Sequence, residues 1–190
     1  MGIKKYKFSD IVKENGFIRG PFGSALKKSL FVPKSETTYK VYEQGVVLEE
    51  DKTVGSYYIT EEYFKKEMKR FEVQENDFLV SCSGVNYGAI YQLRAPFEKG
   101  VINQALLIIR INDTLVDSDY FLYYFKAYIV RAITTGTGDS TIPNFPSISV
   151  IKDIDIELPD LKTQQMIGKI LKKIDEKIKL NQLINDNLAA

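Results

Sequence analysis

The stretch from Leu158 to Leu188 constrains this chain more than any other. It reads L-P-D-L-K-T-Q-Q-M-I-G-K-I-L-K-K-I-D-E-K-I-K-L-N-Q-L-I-N-D-N-L, and only Gly168 inside it weakens a helix. Leu161, Ile167, Ile170, Leu171, Ile174, Ile178, Ile184 and Leu188 recur by threes and fours, as one stripe of a helix requires. Lys169, Lys172, Lys173, Asp175, Lys177 and Lys179 fall on the opposite, solvated face. Pro159 stops whatever strand precedes it, and Asp160 or Thr163 can cap the first turn. At 1.5 Å per residue such a helix is roughly 40 Å long, beyond the dimension of the small domain before it. The stripe either folds back onto that domain or packs against a helix from a second copy or another chain.

The 190 residues suffice for one domain or a little more, and 44% hydrophobic residues suffice for a core. The boundaries fall at 1–158 for a globular domain and 159–190 for the long helix. There is no histidine. That removes Ser-His-Asp and Cys-His chemistry, histidine bases and most transition-metal sites. Cys82 is the only cysteine, which fits a reducing, cytoplasmic compartment, and no apolar run reaches membrane-spanning length. The net charge is only +1, yet the first forty residues carry nine lysine or arginine residues against three acidic ones.

Phe8 to Glu14 reads as a short helix capped by Ser9 and stopped by Asn15-Gly16. Gly20-Pro21 and Gly23 mark a loop whose Ser24, Lys27 and Lys28 could meet a phosphate backbone. Thr38 to Gln44 and Gly45 to Leu48 read as strands with a turn between, and Thr60 caps a helix through Phe64. Phe78 to Cys82 and Ala89 to Leu93 are strands joined by the polar loop 83–88. That loop offers Ser83, Asn86 and Tyr87, the kinds of group that read base edges and also the kinds that turn geometry favours. Gln104 to Ile111 suits a central strand. Ser118 caps a helix to Arg131, aromatic nearly all round, and Thr134 to Ser147 is loop by composition. That loop contributes Thr135, Thr137 and Ser140 as further candidates for contact with DNA. Ile154 to Leu158 is a last strand feeding the long helix. The fold class is α+β, with a mixed, mainly antiparallel β core and short helices, then one long C-terminal helix of coiled-coil type.

Three catalytic-looking patterns fail on context. Gly136-Thr137-Gly138 follows a helix and runs into prolines, whereas nucleotide loops follow a strand and open a helix. Pro159-Asp160 with Asp175-Glu176-Lys177 has nuclease spacing, but on one helix rather than a sheet around magnesium. Ile142 to Pro146 lacks the paired prolines of an amino-methyltransferase motif, and no cofactor loop accompanies it.

The run from Ile154 to Asn181 closely resembles the conserved junction of specificity subunits from type I restriction-modification systems: a strand ending in Leu-Pro, then Gln, Ile, Leu, Asp and Ile at set spacings along a helix. Gly20 to Ser24, Asp77 to Gly84 with Gly88, and Gly136 to Ser140 extend the resemblance over essentially the whole chain. It implies a target-recognition domain that reads one half of a split sequence in double-stranded DNA, and a helix that pairs antiparallel to set the distance between halves. It further implies that the subunit performs no chemistry and holds no cofactor. Modification subunits would bring S-adenosylmethionine, and restriction subunits ATP and magnesium. Full-length members carry two such domains in tandem, so a single set implies a half-subunit, working as a homodimer through its helix, or a fragment of a longer protein. The residues alone also leave room for a protein-interaction adaptor built on the helix, or for the detached recognition part of a single-chain restriction enzyme.

Overall fold

The structure, a computed structural model, describes residues 2–135 and 145–189, with no account of the side chains at 135, 188 and 189. Its largest sheet has strand order β2-β8-β5-β6, from Val12–Arg19, Leu106–Ile111, Phe78–Ser81 and Ile90–Gln92, antiparallel throughout. The apolar run in β8 follows from burial on both faces. Leu107 and Ile109 join Phe78, Val80, Phe8 and Phe121 on one side, while Leu106 and Ile108 join Leu79, Tyr42, Val46 and Val47 on the other. A second sheet holds β4 (Tyr58–Ile59), β3 (Tyr39–Tyr42) and β7 (Gly100–Ile102), with β3 and β7 parallel. β1 (Lys4–Lys7) pairs with β9 (Asp155–Leu158) and ties the start of the chain to the root of the long helix.

Short helices cover these sheets: α1 (Gln44–Leu48), α2 (Glu61–Tyr63), α3 (Ser118–Tyr124), α4 (Val130–Thr135) and α5 (Ile148–Lys152). Thr60 caps α2 as its sequence position predicts, accepting from the Tyr63 amide. The remaining helix, α6, spans Leu161–Ala189. Its cap is Asp160, whose carboxylate accepts from the Thr163 amide at 3.0 Å and from the Thr163 hydroxyl at 2.9 Å.

Several local expectations change. Phe8–Ile11 is a single 3-10 turn, and the chain from Val12 is strand, because Asn15 at φ 55° absorbs a register shift rather than ending a helix. Gly45 to Leu48 is helical, with Val46 and Val47 buried against β5 and β6 instead of extending a hairpin. Asp117, not Ser118, caps α3, accepting from the Tyr120 amide. The aromatic helix is not buried all round. Phe121, Phe125, Ile129 and Ile133 face inward, whereas Tyr120, Tyr124 and Tyr128 form a ring ladder down another side, with Tyr128 64% exposed. The segment expected to be loop up to Ser147 begins with helical Thr134, and α5 follows it.

The face α6 turns toward the globular head is the largest correction. Gln164 and Gly168 are buried, and Leu161, Leu171, Lys172 and Asp175 are half-buried. Gln164 donates to the carbonyls of Leu115 and Pro159 and accepts from the Asp117 amide. Lys172 pairs with Asp119, Asp175 accepts from the Tyr123 hydroxyl, and Lys179 pairs with Glu50. Part of the supposedly solvated face therefore grips the head, and the apolar stripe is displaced outward. Ile170 is 58% exposed, Ile174 51%, Ile178 49%, Ile184 46% and Ile167 37%.

Gly168 makes that grip possible. A Cβ there would lie 2.6 Å from the Tyr120 amide nitrogen and 2.8 Å from Asp117 Oδ1, so only glycine lets α6 meet the first turn of α3 this closely. Alanine normally strengthens a helix interior by about 1 kcal/mol over glycine. At this position Gly168→Ala is expected instead to destabilise the protein by about 1–3 kcal/mol, with Gly168→Val worse. Thermal melts check it, and a rise in Tm for the alanine variant would contradict the close crossing.

Candidate nucleic-acid interface

The antiparallel order of the large sheet brings its connections together at one end. β2 leaves that end at Arg19, paired with Leu107; β5 leaves it at Ser81, paired with Leu106; and β6 enters it at Ile90, paired with Val80. The loops at 20–25, 83–88 and 103–105 therefore share one edge. The Gly20 amide donates to the Leu106 carbonyl at 2.9 Å, and the Cys82 amide to the Ala105 carbonyl at 2.8 Å. A Cβ on Gly20 would fall 1.9 Å from the Asn103 carbonyl oxygen, so glycine is required where these two loops touch. Arg19 lies over the Phe145 ring, 5.6 Å from its centroid, which brings the chain just after residue 144 to the same edge.

The candidate residues differ in how much of each side chain is left free. Ser24, Lys27 and Lys28 are exposed, anchored between them by buried Leu26 and by the Tyr63 hydroxyl donating to the Ala25 carbonyl at 2.6 Å. Asn86 is exposed at the tip of its loop. Ser83 is half-buried and engaged: its carbonyl accepts from Gln44 Nε2 at 2.7 Å, and its hydroxyl donates to Gln44 Oε1 at 3.4 Å. Tyr87 is half-buried and packs against the main core. Thr135 closes α4 with its side chain undescribed, and Thr137 and Ser140 lie outside the described residues. Of the seam residues, Ile167, Ile170, Ile174, Ile178 and Ile184 are exposed, Leu171 is half-buried, and the Leu188 side chain lies outside the described ones.

Three further residues stand at the edge that the sequence alone does not single out for contact: Arg19, exposed Gln104, and Phe22 at 89% exposure. The signal for Phe22 was present, since an aromatic residue flanked by proline and glycine in a turn has no strand or helix to carry it inward.

Electrostatics narrow the basic N-terminal region. Lys5 pairs with Glu157, Lys7 with Asp155, Lys13 with Asp113, and both Lys34 and buried Lys40 with Glu98. Among the described residues, Lys27 and Lys28 form no ion pair, so their charge is available to a polyanion. Cys82 sits under the 83–88 loop, and burial pushes its thiol up to about 12. Such a thiol is not a nucleophile at neutral pH. The acidic residues with nuclease-like spacing are engaged structurally, Asp160 as the α6 cap and Asp175 with Tyr123. No helix among the described residues is long and apolar enough to cross a membrane.

The MjaVIII type I restriction enzyme specificity subunit of Methanocaldococcus jannaschii is 30% identical over 123 residues, covering 63% of this chain and 27% of that protein. The fold matches the type I restriction-modification S subunit from M. genitalium with a TM-score of 0.62 at 18% identity, over 94% of this chain and 40% of the other. It matches the HsdS subunit from Thermoanaerobacter tengcongensis with a TM-score of 0.63 at 15% identity, over 94% and 39%. The chain thus spans well under half the length of these relatives. The family described as type I restriction modification DNA specificity domain matches residues 5–190, and the chain belongs to that family.

Proposed function

We propose that the chain is a non-catalytic specificity subunit that reads one half of a bipartite sequence in double-stranded DNA. Its head supplies the reading edge. Its α6 pairs antiparallel with the same helix of a second copy, and the assembly docks modification and restriction subunits. Methyl transfer from S-adenosylmethionine and ATP- and magnesium-dependent cleavage belong to those partners. One observation carries the reading: α6 holds its own head through Gln164, Gly168, Lys172, Asp175 and Lys179, and turns Ile167, Ile170, Ile174 and Ile178 to solvent. A closed pair uses the same patch on both chains, so each copy of that stripe covers the other. A 29-residue helix is roughly 40 Å long, and base pairs rise about 3.4 Å. Two heads held at its ends would address half-sites on the order of one turn of DNA apart.

Selection of bound duplexes from a random pool, with the modification subunit present, tests this. The expected outcome is an inverted repeat with a fixed, unspecified gap; absence of any sequence preference defeats the reading. Within it, Lys27 and Lys28 hold phosphates. Replacing both by alanine is expected to weaken binding to all sequences alike and to flatten the salt dependence by about two in log-log slope. Asn86→Ala is expected to relax preference at one base by about 1–3 kcal/mol, while the salt slope stays. The exposed seam also suits an adaptor whose helix binds another protein, and the same selection separates the two, because an adaptor recovers no sequence.

A further inference from the structure

The short helix α1 stands between the reading edge and the rod, and its two ends are tied to opposite things. At its start, Gln44 Nε2 donates to Ser81 Oγ and to the Ser83 carbonyl, both at 2.7 Å, holding the base of the 83–88 loop. Its middle is fixed, since Val46 and Val47 are buried in the core beside Leu79. Just past its end, Glu50 takes a left-handed backbone at φ 50° and points its carboxylate at two lysines. Lys126, from the turn after α3, donates to one oxygen at 2.7 Å, and Lys179 of α6 to the other at 2.8 Å. Glu50, Lys126 and Val130 also line a groove of about 530 Å³ whose other wall is the loop itself, Val85 to Gly88.

Lys179 stands 18 residues beyond Leu161, about 27 Å along the helix. Among the described residues it is the last of α6 to hydrogen-bond the head, and residues 180–187 are all exposed. A tether there acts with the longest lever available on the angle between head and rod. Ion pairs this exposed contribute little to stability. A carboxylate shared between two elements nevertheless fixes their relative orientation while it holds.

We propose that Glu50 and Lys179 form a latch that sets the angle between the reading edge and the spacer helix, and thereby the tolerated gap between half-sites. Both are positioning residues and neither need touch DNA. The gap-setting role rests on the reading proposed above; the latch itself does not. Lys179→Met removes the charge and Lys179→Arg retains it, and both are read in two ways. In the first, a donor and acceptor dye at Val85 and Leu183, on chains diluted into unlabelled protein, report the distance between loop and rod. The wild type and Lys179→Arg are expected to give one narrow distribution and Lys179→Met one about twice as wide; equal widths overturn the latch. In the second, duplexes with the gap changed by one base pair are compared with the selected gap. The wild type and Lys179→Arg should lose about tenfold in affinity and Lys179→Met about threefold or less, with unchanged preference within each half-site. A full tenfold loss in Lys179→Met overturns the gap-setting role. A wild type without sequence preference overturns the DNA reading and with it that role, while the dye distances still decide the latch.

Discussion

Ile174→Asp is expected to separate the two copies of the proposed pair without harming the fold of either. The side chain is 51% exposed on a single chain and lies between Ile170 and Ile178, both also about half exposed, so the head loses nothing by its replacement. In a two-fold pair the substitution counts twice. With about half of each isoleucine open to water on the single chain, its burial in the pair contributes about 0.7–1.5 kcal/mol. Each aspartate left in the seam adds the cost of a desolvated charge, several kcal/mol if it stays ionised. A thousandfold or greater weakening of self-association is the expected order, about 4 kcal/mol or more. Sedimentation equilibrium reads the association and a thermal melt reads the fold. Glu176→Lys, an exposed position on the same helix well away from the isoleucine stripe, serves as the control and should leave the pair largely intact. Affinity for a duplex with two half-sites should fall to that for one, since linkage between the heads is lost. A melt lowered by more than a few degrees in Ile174→Asp would mean that the stripe is packed on its own head.

The largest loss of stability is expected at the other end of the sheet, where Arg110 on β8 grips Asp77 just before β5. Arg110 Nε and Nη2 reach the two carboxylate oxygens at 2.8 and 3.0 Å, Nη2 also reaches the Glu72 carbonyl at 2.8 Å, and the Gln74 amide donates to Asp77 at 2.8 Å. Asp77 is 2% exposed, and burial pushes its carboxyl above the ordinary value even though the guanidinium pulls it down. Arg110→Met removes the pull and leaves the burial, at an expected cost of about 3–5 kcal/mol. For a chain of this size that is a fall in Tm of about 10 °C or more.

The pH dependence follows from the sign. A carboxyl whose folded pKa is raised binds more protons folded than unfolded, so its penalty is absent below the ordinary value of 3.8 and grows as pH rises toward the raised value. The variant should therefore lose more stability at pH 8 than at pH 4. Asp77→Leu combined with Arg110→Met should recover most of the loss, because an apolar pair of similar volume replaces a buried ion pair at little cost. A double variant as unstable as the single one would mean that the pair is not what holds this corner.

How far the sequence reveals this molecule depends on how local each cause is. The length of α6, its cap at Asp160, the cap at Thr60 and the central position of β8 are legible because periodicity, capping chemistry and an unbroken apolar run are written in neighbouring residues. Gly45 to Leu48 is ambiguous in isolation: four residues with two adjacent valines suit a strand, and only burial against β5 and β6 makes them a helix. β1 is invisible from its own composition, since K-K-Y-K becomes a strand through partners at Asp155–Leu158, about 150 residues away. The direction in which α6 presents its faces is likewise non-local. Its apolar stripe is readable, but whether that stripe meets the head depends on Gly168, Gln164, Asp119 of α3 and Glu50 just past α1, which offer a small and polar seat that an isoleucine face does not fit.

The loop edge is legible in part for the same reason. Glycine and proline announce the loops at 20–25 and 83–88, but their meeting follows from strand order. Of the residues that type alone selects, Ser83 is held by Gln44 and Tyr87 packs on the core, while Phe22 and Arg19, which type alone does not select, stand at the same edge. Composition identifies what a loop can offer; the fold decides which side chains remain to offer it.

The mass of the protein in solution tests the central claim most directly. A rod that turns its apolar stripe away from its own head should be covered by a second rod. Light scattering on the purified chain at micromolar concentration is therefore expected to give twice 21.7 kDa. A single-chain mass that persists as concentration rises, with the isoleucines of α6 still open to solvent, would contradict it.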